Sequence, residues 1–114
     1  MPWTPEQDGH PAEVIFQADG FEWGKTPTVE EDEEADDCGR IIFQHGPRLE
    51  FGDNGTTIEI VIQALIERLD GFQRGPFPSD SNAYAINHLQ LAKLSLEERT
   101  QDRQLRGVEG KDIP

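Results

Sequence analysis

Three arginines, Arg99, Arg103 and Arg106, stand four and three residues apart near the end of the chain. On a helix that spacing puts them on one face. Guanidinium groups stay charged at every relevant pH, and their forked donors match phosphate oxygens. The set therefore suits capture of a small phosphate-bearing anion. A plainer reading also fits: Glu98 and Asp102 pair with these groups locally, and the positive charge favours the helix C-terminus. A second group lies upstream. Phe72, Phe77 and Tyr84 gather around a proline-rich connector, with Asn82 nearby. Stacking a nucleobase on an aromatic ring contributes about 1–3 kcal/mol in single-strand binders. A side-chain amide reads an adenine edge through two contacts. Here too a plainer reading stands: connector phenylalanines anchor cores, and an asparagine ahead of a helix caps it.

Catalytic arrangements are poor. His10, His45 and His88 show no metal-ligand spacing such as HExxH. Cys38 follows the most acidic stretch, and neighbouring carboxylates disfavour a thiolate nucleophile. The carboxylates form no recognisable acid/base pair, and no glycine-rich phosphate loop is present. These features point to a protein that is not an enzyme and uses no cofactor or metal.

The elements that would position these groups follow from pattern. Residues 1–12 hold three prolines and a glycine, so they form an irregular arm in which apolar Trp3 packs somewhere. Glu13–Gln17 (EVIFQ) and Arg40–Gln44 (RIIFQ) are β-prone, and their likeness suggests paired strands. Phe21–Trp23 and Arg48–Phe51 each suit a further short strand. Between these runs, seven of the eight residues in Glu30–Asp37 are acidic. Mutual repulsion makes that segment a solvated loop, and it lacks the spacing of a calcium loop. Thr56 to Glu59 reads as a capping box. It opens a first helix over about Thr57 to Asp70, with Ile58, Val61, Ile62, Leu65, Ile66 and Leu69 on one stripe. Gly71 suits the position just past that helix. Phe72–Pro78 is expected to be non-helical. Ser79 to Asn82 offers several N-caps for a second helix, from about Asn82 to Gln104. Ala85, Ile86, Leu89, Ala92 and Leu96 form its apolar stripe, and Tyr84, Leu91 and Leu94 widen it. That second flank suggests contact with another subunit. Gly107 and Gly110 end the helix.

The expected fold is α+β: a short N-terminal antiparallel β-sheet, then a C-terminal two-helix hairpin that assembles into a homo-oligomer. The expected division is a β-rich region with the acidic loop over 1–55 and a helical oligomerisation domain over 56–114. The whole chain has 114 residues and 34% apolar content, a thin core for a monomer. Its net charge is −13, which opposes duplex nucleic acid and anionic membranes. Residues 1–57 carry 14 acids and 3 bases, and residues 58–114 carry 9 acids and 7 bases, so a basic site suits the second half better. Neither a signal peptide nor a span is evident, and the lone cysteine forms no intrachain disulfide. A cytoplasmic protein is expected.

The C-terminal half resembles a known family. IIFQHGPRLEFGDNGTT, IEIVIQALIERLDGFQRGPF and SNAYAINHLQLAKLSLEERTQDRQLRGVEG are similar to the shared hexamerisation domain of phage anti-CBASS and Thoeris anti-defence proteins, over about residues 40–110. The NGTT entry to the first helix, the RLDGFQ exit and the ERTxDRxxRGVEG end are its most specific parts. The resemblance implies a homohexamer with helices at its centre. It implies a sponge that binds a nucleotide immune messenger, cyclised ADP-ribose or a cyclic oligonucleotide, without cleaving it. It also implies roles: Phe72 stacks on adenine, Asn82 contacts the same ligand, and Arg99 binds phosphate, with Arg103 and Arg106 following in the basic tail. Arg48 would reach a diphosphate from the sheet. The chain departs from many relatives at LAKLSLEER, where they carry a tryptophan and more alanines, and in its acidic loop. The alternative function is an acidic interaction protein that mimics DNA or masks a host surface, with no small ligand.

Overall fold

The computed structural model describes residues 9–24 and 39–114, together with Thr4 and Gln7. Trp3, Cys38 and the acidic run Glu30–Asp37 lie outside the described residues. The chain divides into two compact units: Met1–Thr56 with Gly110–Asp112, and Thr57–Glu109 with Ile113–Pro114.

The first unit holds the expected antiparallel sheet. Its strands are β1 (Glu13–Gln17), β2 (Gly20–Trp23) and β3 (Gly39–Ile42), in the order β2-β1-β3. The VIFQ and IIFQ runs do pair, with Val14 opposite Ile41 and Ile15 opposite Arg40. The alternation of strands puts Val14, Phe16, Phe21, Trp23 and Ile41 on one face. Val14 is buried there, and aromatic contacts link Phe16 to Phe21, Phe21 to Trp23 and Trp23 to Phe43.

Arg48–Phe51 is not a strand. It is one helical turn, α1, closed by Phe51 N–H to Pro47 C=O (3.0 Å) and Gly52 N–H to Arg48 C=O (2.7 Å). Its β-prone side chains are overruled by the loop that carries it. Gln44 and Asn54 close that loop like a buckle. The Gln44 side chain donates to Gly52 C=O (2.8 Å) and accepts from Asn54 N–H (3.1 Å). The Asn54 side chain accepts from His45 N–H (2.7 Å) and donates to His45 C=O (2.9 Å). With both ends pinned, the intervening residues fold into a turn rather than extend to an edge.

Thr56 then runs beside the end of β3 in a parallel bridge to Phe43. It donates to Ile42 C=O (2.8 Å) and accepts from Gln44 N–H (2.9 Å). Because Thr56 is held in that bridge, the helix cap moves one residue on. Thr57 is the N-cap of α2 (Ile58–Arg74), and its hydroxyl accepts from Ile60 N–H. Glu59 therefore sits one position early for a capping box, so the expected reciprocal bond gives way to a single side-chain cap.

The helix also outlasts its expected end. It continues through Gly71 to Arg74, taking Phe72 with it. An interior glycine costs only about 1 kcal/mol relative to alanine, whereas proline costs about 3. The helix accordingly stops at Gly75, whose extended backbone suits a residue preceding Pro76. After the connector, α3 runs from Asp80 to Leu105, with Ser79 as its cap. The two helices pack along their length around Ile62 and Ile66. Ile86, Leu89 and Leu96 are half-buried, while Ala92 is exposed. Leu105 closes α3 ahead of a Schellman motif: Val108 N–H reaches Arg103 C=O (3.0 Å) and Gly107 N–H reaches Gln104 C=O (3.1 Å), with Gly107 at φ 74°.

Two glycines are predicted to respond oppositely to alanine. A Cβ at Gly55 would collide with the Phe43 carbonyl group, while one at Gly71 meets nothing within 4 Å. Gly55→Ala should destabilise by about 1–3 kcal/mol through overpacking. Gly71→Ala should stabilise α2 by about 1 kcal/mol. Thermal melts followed by circular dichroism check both signs.

Candidate functional site

The α2–α3 hairpin presents its chemically distinctive groups at its two ends. At the connector end, Phe72 lies in the last turns of α2 and is 39% exposed. The Arg68 guanidinium, four residues earlier and so one turn below, rests over that ring at 4.7 Å. Gln73 holds the connector in place. Its side chain donates to Ser79 C=O (2.9 Å) and accepts from Ser79 N–H (2.8 Å), copying a pair of backbone bonds across the connector. Ser79 in turn accepts from Asn82 N–H through its hydroxyl (3.0 Å). This chain of bonds ties the turn that bears Phe72 to the turn that bears Asn82. Ser79 supplies the cap, so the Asn82 side chain is not needed for it; its amide makes no hydrogen bond among the described residues. Phe77 and Tyr84 are strongly exposed, so neither anchors a core within this unit.

The far end of the hairpin carries the arginines, and they differ in occupation. Arg103 is largely committed to structure. It donates to Ile113 C=O (2.7 Å) and Val108 C=O (2.9 Å) and pairs with Glu109 (3.8 Å). Arg106 pairs with Asp102 one turn back at 3.1 Å, the local pairing that the sequence spacing allows. Arg99 faces Glu59 of α2 at 3.9 Å, with its side chain 58% exposed. The Glu59 side chain is only 23% exposed, but 3.9 Å is the edge of ion-pair range, so the contact is loose and the Arg99 donors stay accessible from solvent.

Asn82 and Arg99 share one helix, and at about 1.5 Å rise per residue they stand about 25 Å apart along it. The structure therefore brings Phe72 and Asn82 to one end and Arg99, Arg103 and Arg106 to the other. Arg48 belongs to the first unit. It lies on α1 rather than on the sheet and pairs with Asp53 at 3.8 Å. Among the described residues no group of three or more His, Cys, Asp or Glu could hold a metal ion, and no helix is long and apolar enough to cross a membrane.

Sequence reasoning missed Arg68 and Gln73. The signal for Arg68 is its four-residue spacing to Phe72, which loses its meaning once Phe72 is placed in a non-helical connector. Gln73 carries no comparable signal, since its role depends on where the connector places Ser79.

No family model matches the chain. It is similar to Thoeris anti-defense 1 of Bacillus phage SBSphiJ7, with 44% identity over 70 residues. The match covers 61% of this chain and 49% of that protein, so the chain spans about half the length of the curated relative. The match supports a phage Thoeris anti-defence family. The relative's name gives no sign of catalysis.

The amide bridge of Gln73 is predicted to hold the hairpin's connector. Gln73→Ala removes two hydrogen bonds worth about 0.5–1.5 kcal/mol each. Its thermal midpoint should fall by several degrees, and amide exchange at Ser79 and Asn82 should quicken while that in the middle of α2 stays slow.

Proposed function

We propose that this protein is a phage anti-defence sponge that binds a nucleotide immune messenger and keeps it from its effector without cleaving it. The ligand class is cyclised ADP-ribose or a cyclic oligonucleotide, and the place of action is the cytoplasm of the infected host. The similarity to Thoeris anti-defense 1 supports the setting. The observation that carries the reading is the segregation of an exposed ring with an unoccupied amide at one end of the hairpin from a weakly paired arginine at the other.

Groups about 25 Å apart along one helix can act on one small messenger only if they come from different copies, and two copies lying antiparallel bring them together. In that arrangement Phe72 and Asn82 of one copy meet Arg99 of the next. Ring stacking then orients the base, the amide selects its edge, and the guanidinium neutralises phosphate.

Two features support association of copies. Among the described residues the buried apolar side chains are Val14, Ile62 and Ile66, a core too small to offset ordering entropy by itself. Exposed Ile58, Leu65 and Phe72 recur every seven residues on α2, as do Tyr84 and Leu91 on α3. Such stripes suit helix–helix contact between subunits. A hexamer is the assembly we propose, following the family resemblance. Arg103 has a structural role in this scheme, and Arg106 and Arg48 are secondary contacts at most. The acidic interaction reading depends on Glu30–Asp37, which lies outside the described residues.

Calorimetric titration with cyclised ADP-ribose and a cyclic trinucleotide tests the proposal. At least one should bind, raise the melting temperature, and be recovered unchanged after heat denaturation. Arg99→Ala should weaken that binding by more than about 1.5 kcal/mol, as expected for a bond to a charged group. Indifference to both ligands, or recovery of an altered product, contradicts the sponge.

A further inference from the structure

Six of the seven arginines in the sequence, all within the described residues, face a carboxylate. Arg40 faces Glu13, Arg48 faces Asp53, Arg74 faces Asp70, Arg99 faces Glu59, Arg103 faces Glu109 and Arg106 faces Asp102. Arg68 is the exception. Its guanidinium makes neither an ion pair nor a hydrogen bond among the described residues, and lies instead over the Phe72 ring at 4.7 Å. In a chain of net charge −13, an arginine that meets no acid is unusual.

A cation over an exposed ring is only weakly attracted to it. That contact orients the guanidinium while leaving its N–H donors unfilled, because the attraction runs through the ring face and not through the donors. The planar fork is thus held beside the platform and ready for an anion.

We propose that Arg68 is a ligand-binding residue that sets specificity at the Phe72 platform, so that the site takes a base joined to a phosphate rather than a bare nucleoside. The base stacks on the open side of the Phe72 ring, and the phosphate oxygens accept from Arg68. The inference rests on the sponge reading and adds a second guanidinium to it, one supplied by the same copy that supplies the ring. Arg99 then belongs to the neighbouring copy, and the two arginines hold the phosphate charge from opposite sides.

The test uses the whole protein with cyclised ADP-ribose as probe, in calorimetric titrations of wild type, Arg68→Met, Arg68→Lys and Phe72→Ala. Methionine keeps an apolar stem over the ring but removes the charge and donors. Lysine keeps the charge without the planar fork. Arg68→Met should raise Kd at least tenfold while the unliganded melting temperature falls by no more than about 6 °C, because an exposed cation–ring attraction is weak. Arg68→Lys should fall between the two. Arg68→Met binding within twofold of wild type, while Phe72→Ala loses the ligand, overturns the assignment and leaves the sponge standing. Absence of binding by wild type overturns both.

Discussion

A straight helix cannot bring its own two ends together, and this governs how the helical unit works. Ile62 and Ile66 are buried in the hairpin where α2 and α3 pack, and both ends are sealed, which favours a rigid unit. Gln73 and Ser79 seal the connector, and the Schellman motif with Arg103 seals the far end. Rigidity keeps the ring end and the arginine end about 25 Å apart. It also pre-forms each end, so that in the proposed mode a ligand would cost little ordering entropy. In the proposed assembly, what one copy cannot do by bending, two antiparallel copies would do by stacking. The thin core and the proposed binding mode thus call for the same remedy.

The arginines show how similar residues separate into roles by what surrounds them. Arg103 meets two backbone carbonyls that the helix end and tail leave unfilled, so its charge-assisted bonds hold the tail. Arg106 has an acid one turn back. Arg99 meets its acid only across the hairpin and at the edge of contact. Arg68 meets an aromatic face and no acid. Availability for a ligand rises along that series. None of it is visible in the spacing of the three C-terminal arginines.

The sequence conveyed the fold class and most elements, because period and punctuation agree there. EVIFQ forms the expected strand, and of the expected α2 stripe Ile62 and Ile66 are buried, whereas Ile58 and Leu65 stay exposed. It failed where a local signal was opposed by a contact distant in sequence. Thr56 looked like a cap but is held by Phe43; Arg48–Phe51 looked extended but is bent by the Gln44 and Asn54 buckle. Gly71 looked like a stop, yet a single glycine is too weak to end a helix whose neighbours favour it. That last misreading hid Arg68, since the residue four before Phe72 matters only if both are helical. The charge asymmetry between the halves is legible in the sequence alone, because charge counts do not depend on the fold.

In the proposed assembly, ring and guanidinium reach one ligand from different copies. Refolding an equal mixture of Phe72→Ala and Arg99→Ala subunits puts that geometry to the test, with each variant refolded alone as control. Each variant alone should bind cyclised ADP-ribose poorly, and the mixture should regain a fraction of sites with the wild-type Kd. A mixture no better than its two components, although the subunits exchange, would contradict it.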